Sequence, residues 1–504
     1  MDVLFVTPNS SIAAYQDLAK VYSAIEPPTW SLLLAESCRS KGFGVGIIDC
    51  DAERLSLGES VTKIESAKAK LIVFVLYGQN PNSGTTGMIG AIKLAEALKA
   101  AGLSQKICFV GSHVSALPKE TISYNCVDLV LLNEGVYALH NLLNSNLESD
   151  IPTIKGIGWK DSYGQIKLNA PERVVPQELM DTDLPGYAWD LLPYNEKPLD
   201  LYRAHFWHAG FDHGQRTPFA AIYTSLGCQF ACNFCMINIV NRVDNSDHIN
   251  ASHSKGMRFW SPDWVSREMK KLADLGVKTL RISDEMFFLN RKYYLPILDD
   301  CIEKEFNFNM WTYSRVDTVR PNVLEKFKLA GVNWLALGVE SGNQNVRQEV
   351  SKGSFRDVNI REVCKTIQNS DINIISNYIF GLSHDNHESM RETLDLALEL
   401  NTEMANMYAC QALPGSPLYH TAIQNGWELP KTYEEFAFLS YESNPMRTNE
   451  LSSVEVLRFR DEAWQRYFSN PQYLELVENK FGKVERQNVE DMAKIKLKRK
   501  LLGD

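Results

Sequence analysis

Between residues 220 and 412, six short apolar runs alternate with helical segments, and the first run ends on three cysteines. The runs span 220–226, 278–283, 309–313, 333–339, 373–380 and 406–412. Alternation of this kind folds as a parallel α/β barrel, complete or partial, with its active site at the carboxyl ends of the strands. Those ends form a polar set. They carry Cys228, Cys232 and Cys235, then Asp284 and Glu285, then Arg315 and Asp317, then Glu340 and Ser341, then Asn377, and finally Gln411. A single charged strand end is usually a solvated residue or a helix cap. Polar ends on every strand, beside three thiols, point to one site.

The cysteines stand in the run Gly227-Cys-Gln-Phe-Ala-Cys-Asn-Phe-Cys235, with Phe234 before the last. This spacing supplies three thiolates. A [4Fe–4S] cluster that only carries electrons is held by four cysteines. Three ligands leave one iron open, and an open metal position is where chemistry occurs. A zinc site would want a fourth Cys or His at matching spacing. The histidines upstream (His205, His208, His213) and downstream (His248, His253) form no such knuckle.

A chain of 504 residues holds two or three domains, and 44% hydrophobic with 23% charged residues is the balance of a globular protein. The net charge of −10 argues against a large nucleic-acid-binding surface. Met1-Asp2 opens directly into a strand-like run without a basic leader, and no stretch of ~18 apolar residues exists. A cytoplasmic location is expected. The remaining cysteines (Cys38, Cys50, Cys108, Cys126, Cys301, Cys364, Cys410) are scattered in mostly apolar contexts and read as buried free thiols.

Residues 1–150 show apolar β-branched runs at 2–7, 45–48, 71–76, 107–110 and 129–132, with helical patterns at 29–41 and 87–101. This predicts a doubly wound, Rossmann-like parallel sheet, whose ligand sits beyond the carboxyl ends of its strands. Candidate contacts there are Tyr77, Gly78 and Gln79, then Gly111, Ser112 and His113, then Glu134 and Gly135. No G-x-G-x-x-G follows the first run, which disfavours a dinucleotide. Residues 151–215 form a connector with a hairpin at 154–159 and 165–168, and the aromatic-rich segment 201–219 packs domains together or walls the site. The barrel takes 216–420 and a helical region 421–504. Segment 236–259 is a lid, a substrate loop or a plain insertion. The basic tail 494–500 reads as a solvated helix end, with peripheral membrane contact as the alternative.

The N-terminal sheet resembles the cobalamin-binding domain found ahead of many radical S-adenosylmethionine (SAM) enzymes, on Gly111-Ser112 with His113 and on Asn133-Glu134-Gly135-Val136. The Asp-x-His-x-x-Gly motif of other cobalamin proteins is absent, so the resemblance implies no histidine on the lower face of the cofactor. Residues about 220–420 resemble a radical SAM core, on the three cysteines with Phe234, on Gly338-Val-Glu-Ser-Gly342 and on Pro414-Gly-Ser-Pro-Leu-Tyr419. The resemblance implies a [4Fe–4S] cluster, SAM and cobalamin as cofactors. It implies that Phe234 presents backbone to the adenine and that Asp284 and Glu285 meet the methionyl amine. It further implies that Glu340 and Ser341 meet the ribose, that Arg315 meets the carboxylate, and that Asn377 joins the SAM site. The implied reaction is reductive cleavage of SAM to a 5′-deoxyadenosyl radical and methylation of an unactivated carbon of a small molecule. The electron would come from an external donor such as flavodoxin or ferredoxin. Radical cyclisation or rearrangement is the alternative, as is a first domain that no longer binds cobalamin. A non-catalytic iron–sulfur or zinc module is a reading of a different class. Methylthiotransferases share the cysteine signature but usually end in a small β-domain, which the helical pattern here does not match.

Overall fold

The computed structural model describes residues 1–78, 81–194, 201–208, 218–244, 250–351 and 358–504. Gln79, His213 and His248, and part of the aromatic-rich segment 201–219, lie outside the described residues.

The first sheet has seven strands: β1 (Val3–Thr7), β2 (Val45–Asp49), β3 (Leu71–Leu76), β4 (Lys106–Gly111), β5 (Leu129–Leu131), β6 (Ile157–Lys160) and β7 (Ile166–Leu168). Their spatial order is β2-β1-β3-β4-β5-β6-β7, parallel through β5 and antiparallel after it. The hairpin expected in the connector therefore extends this sheet. Alternation decides the layers. Val3, Phe5, Leu71 and Val73 pack with the helix Thr29–Ser40. Leu4, Val6, Ile72 and Phe74 pack with the helix Gly84–Ala100. β1 lies between β2 and β3, so the strand order reverses there. Such a switch point opens a ligand crevice beyond the strand ends, here past Thr7 and Leu76.

The second sheet has six parallel strands in the order β15-β14-β13-β12-β11-β8. They are β8 (Phe219–Ile222), β11 (Thr279–Ile282), β12 (Asn309–Arg315), β13 (Val332–Glu340), β14 (Asn373–Phe380) and β15 (Met404–Ala409). β8 and β15 are its two edges, so the sheet curls into a half-barrel without closing. The helix after Ser261 begins where the sequence predicts, while the helix predicted from 87 begins at Gly84. Ser261 accepts a hydrogen bond from the Trp264 amide to cap Pro262–Asp274, burying Val265, Met269 and Leu272.

The run 220–226 is not one strand. β8 ends at Ile222, and the chain bends into β9 (Ser225–Cys228), which pairs antiparallel with β10 (Gly256–Phe259). Gly227 makes this possible. Its φ is +84°, and a Cβ there would lie 2.3 Å from the Gly256 carbonyl oxygen. Within segment 236–259, residues 236–244 and 250–259 are described, and both stretches pack against the cysteine strand. Ile237, Ile239 and Val240 are buried and β10 braces the cysteine strand.

The C-terminal region forms helices Ser453–Phe468, Pro471–Phe481 and Lys483–Lys494 against the half-barrel, with Arg460 donating to the Met407 carbonyl (2.7 Å). The helix ends at Lys494, and Lys494, Lys496, Lys498 and Lys500 of the basic tail are exposed, as expected of a solvated helix end. Past Lys494 the tail runs back over the protein. Arg499 is buried, pairs with Asp461 at 2.9 Å and donates to the carbonyls of Phe438 and Ser440. Among the described residues no helix is long and apolar enough to cross a membrane. All ten cysteines are free, and the seven outside the cysteine motif are buried.

Candidate active site between the two sheets

A cavity of about 610 Å³ lies between the half-barrel and the carboxyl edge of the first sheet. Cys228, Cys232 and Cys235 line it, as do Phe234, Glu285, Arg315, Glu340 and Asn377 from the strand ends of the half-barrel. Thr7, Tyr77 and Gly78 line it from the β1–β3 switch point.

The cysteine loop is held from several sides. The Cys228 amide donates to Asn238 Oδ1 (2.7 Å), and the Phe230 and Ile237 amides lie 3.5 Å from the sulfurs of Cys228 and Cys235. Asn82, from the loop after β3, donates through Nδ2 to Cys235 Sγ (3.5 Å) and accepts from the Met236 amide (2.9 Å). The Leu418 amide donates to the Asn233 carbonyl (2.8 Å), tying the loop to the segment after β15. Burial pushes the Cys228 and Cys232 thiols up to about 12 and Cys235 higher still. Among the described residues no three His, Cys, Asp or Glu side chains gather around a single ion. A cubane takes one thiolate per iron, so it does not require them to.

The carboxylates divide into two kinds. Asp284 is committed to structure, accepting from the Thr224 amide (2.6 Å), the Thr224 hydroxyl (2.7 Å) and the Ser225 hydroxyl. It holds the bend between β8 and β9 and does not line the cavity. Glu285, its neighbour, does. Its Oε1 is buried without a hydrogen-bond partner among the described residues, and burial pushes the carboxyl up to about 7. Glu340 also faces the cavity and is pushed up to about 7 by burial, with Arg315 pulling the other way. Its φ is +64°, strained for a non-glycine residue, and the β13–β14 register shifts beside it. That kink turns Ser341 away, against Thr393 (3.1 Å). Arg315 forms a bidentate pair with Asp317 (2.9 Å each) and lies over the Phe230 ring at 3.9 Å. Asn377 accepts from Asn406 (3.0 Å).

Residues 222–397 match the Radical SAM superfamily, and residues 15–143 match the B12 binding domain. The chain is a radical SAM enzyme with a B12-binding domain. It is 24% identical to an uncharacterized methyltransferase of Pyrococcus horikoshii over 94% of both chains. It is 23% identical to the anaerobic magnesium-protoporphyrin IX monomethyl ester cyclase of Rubrivivax gelatinosus, over 94% of this chain and 79% of that one. Its fold matches the radical SAM methyltransferase TsrM from Kitasatospora setae, solved with cobalamin and a [4Fe–4S] cluster. That match has a TM-score of 0.65 at 14% identity and covers 98% and 99% of the two chains.

The residues of this radical SAM enzyme fit the cofactors that its domains imply. Three cavity-facing thiols suit a cluster with one open iron. The orphaned Glu285 oxygen is an acceptor awaiting a donor, such as the ammonium of SAM. The B12-binding sheet opens its switch point, with Gly78 at φ +62°, into the same space.

Several sequence candidates for the B12 side are not brought to this cavity. Gly111 packs on β3, where a Cβ would lie 2.3 Å from the Leu76 carbonyl oxygen, and Ser112 donates to the Pro81 carbonyl. His113 is buried between Thr85 (3.1 Å) and Glu120 (2.9 Å). Glu134 pairs with Arg258 of β10 (2.8 Å) and accepts from the Val175 amide, and Gly135 starts the next helix. Tyr77 does line the cavity, its ring 4.3 Å from Trp30 and its hydroxyl donating to the Asn133 carbonyl. In the connector, His205 and Trp207 are also in the cavity wall, stacked at 5.0 Å.

Two groups escaped the sequence reading. Asn82 carries no motif. Arg281 and Glu26 form a buried ion pair across the domains at 2.6 Å, with Tyr313 at 3.1 Å and Trp311 under the guanidinium at 4.7 Å. An arginine inside the apolar run Thr279–Ile282 was the available signal; Glu26 had none.

Proposed function

We propose that this enzyme methylates an unactivated carbon of a small molecule, with Cys228, Cys232 and Cys235 holding the cluster. The observation that carries this reading is the single cavity into which the thiols, two raised carboxylates and the B12-binding switch point all open. When bound there, cluster, SAM and cobalamin supply one-electron cleavage of a carbon–sulfur bond and a transferable methyl group. The chain's own residues orient and enclose. Glu285 accepts from the methionyl ammonium and Glu340 from the ribose hydroxyls. Arg315, steadied by Asp317 and Phe230, faces the carboxylate. The Phe234 backbone meets the adenine and Asn377 borders it. Thr7, Tyr77 and Gly78 bear the cobalamin. Trp207, Trp311 and Trp30 exclude water. The electron is delivered by a soluble donor in a reducing compartment, in keeping with the free thiols.

The test is anaerobic. Reconstituted enzyme with SAM and reductant releases 5′-deoxyadenosine, and cobalamin-loaded enzyme also releases S-adenosylhomocysteine. Cys232→Ala should abolish the first product. If S-adenosylhomocysteine forms at the same rate without cobalamin, the methyltransferase reading fails. The match to the cyclase along most of the chain favours radical cyclisation as the second reading. That reading predicts 5′-deoxyadenosine without transfer of a labelled methyl group.

A further inference from the structure

A second groove, of about 260 Å³, is formed by the segments that follow β11 and β12. Leu289, Arg291, Tyr294, Arg320 and Val323 are among its lining residues. Arg291 and Lys292 open the helix Arg291–Glu303 and are exposed, as is Arg320. None of these three cations is held in an ion pair among the described residues. Asp317, which precedes Arg320, is already bound by Arg315. The groove is therefore locally positive on a chain whose net charge is −10.

The inner wall of this groove is also a wall of the cysteine loop. Leu289 lines the groove and packs against the apolar group of Cys228, Ile237 and Met286. Its amide donates to the Met286 carbonyl (3.2 Å), and Met286 reaches the main cavity. Leu289 thus joins the groove to the apolar group that contains Cys228.

We propose that this groove is the docking surface for an acidic one-electron carrier protein that reduces the cluster. The proposal rests on the cluster reading above. One electron leaves the reduced carrier and enters the oxidised cluster through the Leu289–Met286 wall, with no proton or leaving group involved. An acidic carrier is repelled by most of this acidic surface and attracted where Arg291, Lys292 and Arg320 stand clear. Such local complementarity governs association rate and its salt dependence more than affinity.

The experiment uses the full chain with its cluster reconstituted, mixed anaerobically with reduced flavodoxin, while bleaching of the cluster absorbance is followed. The double variant Arg291→Glu with Arg320→Glu should slow reduction by flavodoxin about tenfold or more at low salt, and the wild-type rate should fall as salt rises. Reduction by dithionite, a small donor, should be unchanged in the variant. An unchanged flavodoxin rate would overturn the proposal. If the charge reversals also slow dithionite, the milder pair Arg291→Gln with Arg320→Gln decides. A slower flavodoxin rate alone supports docking there, and no change overturns it. A wild-type chain that neither donor reduces would overturn the cluster reading itself, which keeps the two failures apart.

Discussion

Asn82 belongs to the loop after β3 of the B12-binding domain, yet its amide lies 3.5 Å from Cys235 Sγ. Hydrogen bonds to cluster sulfurs help set the reduction potential. Asn82→Leu should therefore leave a cluster that is harder to reduce, by about 59 mV if the reduced form loses a factor of ten. A potentiometric titration followed by electron paramagnetic resonance reads this directly, and an unchanged midpoint would remove Asn82 from the site. Glu285→Gln should weaken SAM about tenfold, the loss of one charge-assisted hydrogen bond, with iron content unchanged; equilibrium binding measures it. The sequence brought Asp284 and Glu285 forward as equals because both follow β11. Only the fold shows that three donors from Thr224 and Ser225 turn Asp284 inward to the bend. The same holds for Glu340 and Ser341, which a left-handed backbone at Glu340 sends to opposite sides.

The strands themselves were legible, because buried parallel strands are continuous β-branched runs that periodicity and flanking turns mark out. What escaped was the break between β8 and β9. An apolar run does not reveal that Asp284, distant in sequence, will seize the backbone in its middle. Gly227 was visible only as a motif glycine, although its conformation decides how the cysteines leave the sheet. Gly227→Ala combines a positive φ with a 2.3 Å clash against the Gly256 carbonyl, and should cost about 1–3 kcal/mol. Iron bound per chain after reconstitution should drop along with the melting temperature. Full iron loading with wild-type stability would mean that the turn is not needed. Several of the B12-side candidates lie away from the cavity for a topological reason. A ligand crevice forms where strand order reverses, at β1 and β3, and so Tyr77 and Gly78 face it while His113 and Glu134, beyond β4 and β5, are spent on packing.

Across the whole molecule, the two sheets are locked by charges that neither could bury alone. Arg281 of the half-barrel meets Glu26 of the first domain, and Glu134 of the first domain meets Arg258 of β10. Removing one partner of a buried pair leaves an uncompensated charge and costs about 3–5 kcal/mol. Glu26→Leu should therefore destabilise strongly in chemical denaturation, and Glu26→Leu with Arg281→Met should recover much of the loss. No recovery would mean that the pair does not act as a unit. These ties keep the B12-binding switch point facing the cysteines across one cavity, which is the central claim. A crystal structure of the anaerobically reconstituted enzyme with SAM and cobalamin tests it most directly. It should show cobalamin against Thr7, Tyr77 and Gly78, facing a cluster held by Cys228, Cys232 and Cys235, with SAM between Glu285 and Glu340. Cobalamin bound elsewhere, or a cluster that does not open into the same cavity, would contradict it.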